Sequence, residues 1–129
     1  MSDNHGAIWW SELMTRDVDA ARKYYTEVCG WSTSAMPMPE GVYTVCSVGE
    51  KPVAGIMDMT AMEELADVPA HWFTYIAVDD VDKAVAQTRA AGGNILREVF
   101  EVENIGRIAI VQDPTGAAVG IMTAAPPVG

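Results

Sequence analysis

The chain has 129 residues, half of them hydrophobic and 20% charged, and its formal net charge is −10 at pH 7. That length suits a single domain (1–129), and the excess of acidic residues disfavours nucleic acid and anionic lipid as partners, because both are negatively charged. No apolar run is long enough to cross a membrane and no secretory signal opens the chain, so we expect a cytoplasmic protein.

The predicted elements repeat one order twice along the chain: a strand, a helix and three strands. The first copy has a strand at 8–15, a helix within 16–31, and strands at about 31–36, 42–48 and 53–59. The second has a strand at 71–78, a helix within 79–94, and strands at 95–103, 107–112 and 117–123. We therefore predict one module at about 7–59, a linker at 60–70 with a short helix before Pro69, and a second module at about 71–124. The final APPVG is expected to fray.

Both predicted helices have the same start and stop signals. An aspartate precedes each apolar stripe, Asp17 in one copy and Asp80 in the other, and the aligned glycines Gly30 and Gly93 are expected to close the last turns. The helical spacing predicts two core-facing stripes. Their members are Val18, Ala21, Tyr25 and Val28 in the first helix, and Val81, Ala84, Val85 and Thr88 in the second.

Alternation along the strands assigns their side chains to two faces. In the first strand Leu13 belongs to an uncharged set that suits packing under the helix. In the strand at 71–78, Trp72 belongs to the corresponding set. This leaves Glu12, His71 and Tyr75 on the concave face. The near-repeats VAGIM (53–57) and AVGIM (118–122) place a glycine in the interior of a strand, which usually marks the close approach of another group.

The segments RDVDAARKYYTEVCGW and VDDVDKAVAQTRAAGG, with the DPTGAAVGIM ending, resemble the vicinal oxygen chelate superfamily. That superfamily includes glyoxalase I, extradiol dioxygenases and bleomycin-resistance proteins. HWFTYIAVDDVDKAVAQTRAAGG and PVAGIM are most similar to a bacterial branch labelled glyoxalase-like or hydroxylase, a label that names no reaction. The resemblance implies an α+β fold in which two tandem βαβββ modules form a curved, half-open mixed barrel. Its helices would lie outside, and both modules would line a cavity.

The resemblance also implies where a metal would bind in metal-using members. The first-strand positions fall on Trp10 and Phe73, and the fourth-strand positions fall on Gly55 and Gly120. None of these residues supplies the oxygen, imidazole or thiolate ligand that a metal needs, so we expect no metal and no cofactor. Glu12 and His71 would provide only two ligands. A third would have to come from loop residues such as Glu40, Glu50 or Glu103, which the sequence does not position.

Three functional hypotheses follow from these residues. The first is a metal-free protein that binds a small organic molecule, aromatic or cationic, between the modules. The second is a metal-independent lyase or isomerase in which Glu12 acts as general base while Tyr75 or His71 polarises a carbonyl. The third is a structural or partner-binding module whose cavity is filled by its own side chains. The modules pair within one chain or are exchanged in a homodimer. The predicted ligand-binding residues are Trp10, Met14, Gly55, Met57, Phe73, Gly120 and Met122.

Overall fold

The computed structural model describes residues 4–38, 41–102 and 105–124. The first five elements are β1 (Ile8–Thr15), α1 (Val18–Cys29), β2 (Ser32–Met38), β3 (Gly41–Val48) and β4 (Lys51–Asp58). A 3₁₀ turn (Glu63–Leu65) follows, and then β5 (His71–Ala77), α2 (Val81–Ala90), β6 (Asn94–Val102), β7 (Gly106–Gln112) and β8 (Ala118–Ala124). The predicted order of strand, helix and three strands, written twice, is confirmed. The APPVG segment lies outside the described residues.

The chain divides into two compact units. The first unit, Trp10–Phe73, holds a mixed sheet in the order β2-β3-β4-β1, in which β1 and β4 are parallel and the other neighbours are antiparallel. Helix α1 covers one face of this sheet. The core beneath it is apolar and consists of Leu13, Cys46, Ala54 and Ile56 from the strands, packed against Val18, Ala21 and Tyr25 from the helix.

The second unit comprises the residues before Trp10 and those from Thr74 onward. Its strands follow the order β5-β8-β7-β6, with β5 and β8 parallel and the other pairs antiparallel. Helix α2 packs on one face over a core of Val81, Val85, Ala109, Val111 and Ile121. Each unit is therefore a four-stranded mixed sheet with one helix, which confirms the predicted α+β fold of two βαβββ modules.

Both helices begin where the sequence predicts. The Asp17 carboxylate accepts a hydrogen bond from the Ala20 amide (3.0 Å), and the Asp80 carboxylate accepts one from the Lys83 amide (3.2 Å). Helix α1 also ends as expected, since Gly30 adopts a left-handed conformation with φ of 71°.

The end of α2 differs from the prediction. The left-handed residue is Gly92 (φ 93°), not Gly93. Gly93 is instead a point of close approach, because an added Cβ there would lie 2.6 Å from the carbonyl oxygen of Gln112 and 2.8 Å from the methyl group of Thr88.

The apolar stripe of α1 ends one turn earlier than predicted. Val28 is exposed. The ring of Tyr25 stacks on Trp31 at 5.3 Å and meets the edge of Trp72 at 5.5 Å, and the Trp72 indole N–H donates to the Tyr25 hydroxyl (3.2 Å). Aromatic rings from β5 and from the α1–β2 connection therefore complete the packing at this end of the helix.

Two strands extend through proline residues that the sequence suggested as boundaries. Pro37 lies in β2, the outermost strand of the first unit, and edge strands are where prolines are usually found in sheets. Pro52 lies in β4 next to the register shift between Cys46 and Ser47 of β3, and before the segment of β4 that pairs with β1. Both prolines therefore lie at an edge or an irregularity of the sheet, where proline is tolerated.

Candidate functional site

Strand β1 presents different chemistry on its two faces, as the alternation predicts. Leu13 packs into the core under α1. Trp10 and Glu12 point to the opposite face, where they meet Tyr43 of β3. On β4 the neighbours Ala54 and Ile56 belong to the core under α1, so Gly55 and Met57 lie on the same face as Glu12, a point that the sequence left open.

Gly55 makes room for the ring of Tyr43. A Cβ added at position 55 would overlap the hydroxyl oxygen, Cζ and Cε2 of this tyrosine. The register explains the contact, because Gly55 pairs with Val45 on β3 and Tyr43 lies two residues away on the same face. The absence of a side chain at this position is therefore a packing requirement of the phenol.

Tyr43 connects Trp10 and Glu12 through its hydroxyl group. The indole N–H of Trp10 donates to the Tyr43 oxygen at 2.9 Å. The hydroxyl is in turn hydrogen-bonded to the carboxylate of Glu12, the parallel-strand neighbour of Gly55. Glu12 is only 6% exposed and Tyr43 only 9% exposed, so these two side chains are largely shielded from water, while Trp10 is half-buried.

This environment keeps the Tyr43 phenol protonated. Burial raises its pKa well above the ordinary value of 10.0, and the negative charge of Glu12 raises it further, while the hydrogen bond from Trp10 opposes the shift. Tyr43 is therefore a neutral hydrogen-bonding group at any pH at which proteins are normally studied.

Gly120 in the second unit has an equivalent relation to Tyr75. The two residues are register partners on the parallel strands β5 and β8, and a Cβ at position 120 would overlap ring atoms Cδ1 and Cε1 of Tyr75. Met122 is 4% exposed and lies two residues along the same face. The two interior glycines thus serve the same purpose, since each accommodates a tyrosine ring.

The remaining predicted site residues are distributed between the units. Met14 and Met57 are register partners in the first unit, and Met14 is buried. The imidazole Nδ1 of His71 is hydrogen-bonded to the Pro69 carbonyl oxygen at 2.8 Å. Phe73 is half-buried in β5. The structure thus brings Trp10, Glu12 and Gly55 together in the first unit, and Tyr75 and Gly120 in the second.

A cleft of about 450 Å³ lies in the first unit, mostly on the α1 side of the sheet, where Val18 and Val42 contribute apolar surface. Tyr43 and Met57 are also part of its lining, although their side chains alternate to the opposite face of the sheet. The charged residues in its lining are Asp19, Arg22 and Asp58. Asp58 is ionised at neutral pH, because hydrogen bonds from Thr60 lower the pKa of its carboxyl. Clefts of this size and mixed lining are typical of sites for small organic ligands.

Comparison with known proteins places the chain in a family. Residues 7–121 match the family model of the Glyoxalase/Bleomycin resistance protein/Dioxygenase superfamily. The chain belongs to this superfamily. Among the residues that the structure describes, neither helix is long and apolar enough to cross a bilayer.

Named relatives fall in the same superfamily. The chain is 39% identical over 117 residues to the "Putative glyoxylase CFP32" of Mycobacterium bovis, a match that covers 89% of this chain and 44% of that protein. The chain therefore spans a little under half the length of this relative. It is also 31% identical over 120 residues to the "Probable lactoylglutathione lyase" of Vibrio parahaemolyticus, with 88% of this chain and 87% of that protein covered.

The fold is similar to that of solved superfamily structures. One is a Streptomyces coelicolor methylmalonyl-CoA epimerase in complex with 2-nitronate-propionyl-CoA, with a TM-score of 0.71 and 18% identity. The similarity covers 96% of this chain and all of the epimerase chain. At this identity the comparison establishes a shared fold.

The positions to which the resemblance assigns metal ligands do not fit a metal in this superfamily member. Trp10 offers only an N–H donor, which is already bonded to Tyr43, and the space above Gly55 holds a phenol ring. Phe73 and Gly120 have no ligand atom in their side chains. Within residues 4–38, 41–102 and 105–124, no three His, Cys, Asp or Glu side chains are grouped so that they would hold an ion. Glu40 and Glu103 lie outside the described residues.

The two cysteines have different surroundings. Cys46 is fully buried in the first core, where burial raises the pKa of its thiol, so it is a packing residue. Cys29 is exposed at the end of α1.

Tyr43 is the site residue that the sequence alone did not single out. A signal for it was present, because a glycine inside a strand often marks the close approach of another group. The sequence does not reveal the register between β3 and β4, and a register shift interrupts that pair. Without the register, Tyr43 cannot be distinguished from the other residues of β3.

Proposed function

We propose that this superfamily member binds a small organic molecule in its first unit and does so without a metal. The observation that carries the proposal is the network of Trp10, Tyr43 and Glu12 over Gly55. It places a carboxylate and a neutral phenol beside Gly55, a position to which the resemblance assigns a metal ligand that glycine does not supply. Small-molecule sites commonly combine such a few fixed polar groups with apolar walls.

The ligand class that we propose is a cationic or aromatic molecule. Asp19 and Asp58 give the cleft a negative character, with Arg22 as the opposing charge in its lining. Val18 and Val42 offer apolar surface, which suits ring-containing guests. A CoA thioester, as bound in the epimerase, carries several phosphate groups, and the net charge of −10 disfavours such a ligand here.

The proposal is tested by thermal-shift measurements on the purified chain with aromatic amines, neutral aromatic compounds, a CoA thioester and a glutathione conjugate. A ligand at about 100 times its Kd adds roughly 2.7 kcal/mol to the free energy of unfolding, which is readily detected. We expect aromatic amines to raise the Tm most. No shift with any compound would overturn the proposal and favour the third hypothesis, a cavity filled by the protein's own side chains.

Metal independence is tested by elemental analysis of protein purified without chelator. We expect zinc, nickel, iron and manganese each to be well below one equivalent. We also expect EDTA to leave the Tm unchanged, because the side chains at the ligand positions bind no ion. One tightly held equivalent of any of these metals would contradict the proposal.

A metal-independent lyase or isomerase remains the alternative function, because Glu12 is a buried carboxylate held beside a phenol. In this hypothesis Glu12 removes a proton next to a carbonyl, and Tyr75 or His71 polarises that carbonyl. The test is deuterium incorporation from D₂O into carbonyl compounds, followed by NMR. Glu12→Gln would abolish exchange but leave affinity unchanged if Glu12 is the base, and it would reduce both if Glu12 only binds.

A further inference from the structure

We propose that Arg22 binds the anionic group of a zwitterionic ligand in the cleft on the α1 side of the first unit, and that the ammonium group of this ligand faces Asp58. The inference rests on the function proposed above. It narrows the ligand class to molecules that combine both charges with an apolar body, such as aromatic amino acids. Arg22 is then a specificity-determining residue on the face of the sheet opposite Glu12 and Tyr43.

The side chain of Arg22 is fixed against the α1 face of the sheet. Its Nε–H donates to the hydroxyl of Thr33 on β2 at 3.1 Å. Thr33 is the register partner of Cys46, which belongs to the core under α1. Burial raises the pKa of the Cys46 thiol and the positive charge of Arg22 opposes this shift, so the guanidinium lies near this core residue. Arg22 is itself half-buried, and its side chain therefore lies along the sheet and not in open solvent.

The guanidinium of Arg22 retains most of its hydrogen-bonding capacity for a ligand. The bond to Thr33 uses only the Nε–H, and the paired N–H groups of the two terminal nitrogens remain. Within residues 4–38, 41–102 and 105–124, Arg22 forms no ion pair and no other side-chain hydrogen bond. A planar fork of this kind matches the two oxygens of a carboxylate.

The other arginines of the chain are engaged within the protein. Arg16 donates to backbone carbonyl oxygens between residues 65 and 68. Arg89 and Arg107 form ion pairs with carboxylates, and the guanidinium of Arg97 lies over an aromatic ring, 3.7 Å from its centroid. The chain has 18 acidic and 8 basic residues, so carboxylates are abundant. An arginine that pairs with none of them and lines a cleft therefore points to an anionic group supplied by a ligand.

The cleft also contains the opposite charge. Asp58 lies at the end of β4, where its carboxylate accepts a hydrogen bond from the Thr60 amide at 2.9 Å. Val18 and Val42 supply the apolar wall. A ligand with only an ammonium group leaves Arg22 unpaired, and a ligand with only a carboxylate is repelled by Asp58 and by the net charge of −10. A zwitterion pairs with both side chains and carries no net charge.

The experiment measures binding of three matched probes by calorimetry, in buffer with and without EDTA. L-Phenylalanine carries both charges, 2-phenylethylammonium lacks the carboxylate, and 3-phenylpropanoate lacks the ammonium group. All three have the same ring and the same two-carbon chain. We expect wild type to bind phenylalanine about tenfold more tightly than either of the other probes, because one additional hydrogen-bonded charge pair has roughly this effect.

Substitutions separate the two charges of the site. Arg22→Gln should lower the affinity for phenylalanine about tenfold, to the level of 2-phenylethylammonium, and leave the affinity for 2-phenylethylammonium undiminished. Asp58→Asn should weaken binding of both ammonium compounds but not of 3-phenylpropanoate. Lys23→Gln is the matched control, because it removes the same charge from the same helix at a residue that does not line this cleft. It should leave the preference for phenylalanine in place.

Three results would overturn the inference. Wild type binds phenylalanine no more tightly than 2-phenylethylammonium, Arg22→Gln retains the preference for phenylalanine, or Lys23→Gln loses this preference to the same extent as Arg22→Gln. If Arg22→Gln does not fold, Arg22→Lys takes its place, since it keeps the charge but lacks the paired N–H groups. The preference for phenylalanine should then decrease, and an unchanged preference would overturn the inference.

The outcomes distinguish this inference from the proposed function. If 2-phenylethylammonium binds wild type but phenylalanine binds no more tightly, the inference fails and the proposed function stands. If phenylalanine binds through Arg22 but EDTA abolishes the binding, the metal-free function fails and the role of Arg22 stands. If none of the probes and none of the compounds in the thermal-shift panel binds, both fail.

Discussion

At the residue scale, the two interior glycines and their tyrosines define what the sheet faces present. Tyr43 over Gly55 and Tyr75 over Gly120 each fill a space that a Cβ would close. The two pairs differ in chemistry, because the hydroxyl of Tyr43 lies over its glycine and joins a buried polar network, whereas Tyr75 covers Gly120 with a ring edge. The two copies of the pattern therefore fill the space over the glycine with different atoms of the tyrosine.

The raised pKa of Tyr43 predicts how stability depends on alkaline pH. The unfolded phenol ionises near pH 10, while the folded phenol retains its proton, so the contribution of Tyr43 is fully present below pH 10 and decreases as the pH rises above it. We expect the urea midpoint of wild type to decrease between pH 9.5 and 11. In Tyr43→Phe this decrease should be smaller, because position 43 no longer titrates.

Ultraviolet difference spectroscopy provides the direct check. The chain has four tyrosines, and all of them ionise in urea. For each protein, the number of tyrosines that ionise in the native state below pH 11 is subtracted from the number that ionise in urea. This difference should be smaller by one in Tyr43→Phe than in wild type. An equal difference in the two proteins would contradict the assignment.

At the element scale, local signals set the ends of both helices. Each N-terminal aspartate accepts a hydrogen bond from a first-turn amide, and a residue without an acceptor loses this bond. Asp17→Ala and Asp80→Ala are each expected to destabilise the chain by about 1 kcal/mol. The asparagine variants retain the acceptor and should remain close to wild type. Urea denaturation measures both series, and equal losses for alanine and asparagine would show that the side-chain hydrogen bond is not the cause.

The contact between Tyr75 of β5 and Gly120 of β8 allows a second prediction at this scale. Gly120→Ala forces the Tyr75 ring out of its place, and such overpacking costs about 1–3 kcal/mol. In a Tyr75→Ala background the same substitution meets no ring, so its cost should largely disappear. A double-mutant cycle measured by urea denaturation tests this coupling. Additive losses would mean that Tyr75 does not lie over Gly120 in solution.

At the scale of the whole molecule, the net charge of −10 is the main electrostatic influence on stability. Self-repulsion among like charges destabilises a compact state, and salt screens it, since the Debye length falls from about 30 Å at 0.01 M to about 8 Å at 0.15 M. We expect the Tm to rise over this range, by roughly 4 °C for each kcal/mol of repulsion removed. Sucrose at equal osmolality serves as the control, and a Tm that falls with added NaCl would contradict this prediction.

The oligomeric state is also a property of the whole molecule, and it stays a prediction. The modules pair within one chain or are exchanged in a homodimer, and native mass spectrometry at low protein concentration distinguishes a monomer from a dimer. Like-charged copies repel one another, so we expect a dimer, if it forms, to strengthen with salt.

The sequence by itself determined the elements of this protein, because the signals for them are local. Each of these signals depends on residues within a few positions of each other. They are the alternation of β1, the caps of both helices and the order of strands and helix in each copy. The resemblance to the superfamily assigned the metal-ligand positions to Trp10, Gly55, Phe73 and Gly120, and the side chains at these positions are read directly from the sequence. Even local signals left alternatives, as Gly92 in place of Gly93 and the exposed Val28 show.

Only the tertiary structure decided what fills the space over the glycines. Tyr43 contacts Gly55 and Glu12 through the register of β3, β4 and β1, and register is set by the pairing of strands that are distant in sequence. The raised pKa of Tyr43 likewise depends on burial and on a charge 31 positions away along the chain, from Glu12 to Tyr43. Such contacts arise only when the chain is folded, so no pattern within one strand predicts them.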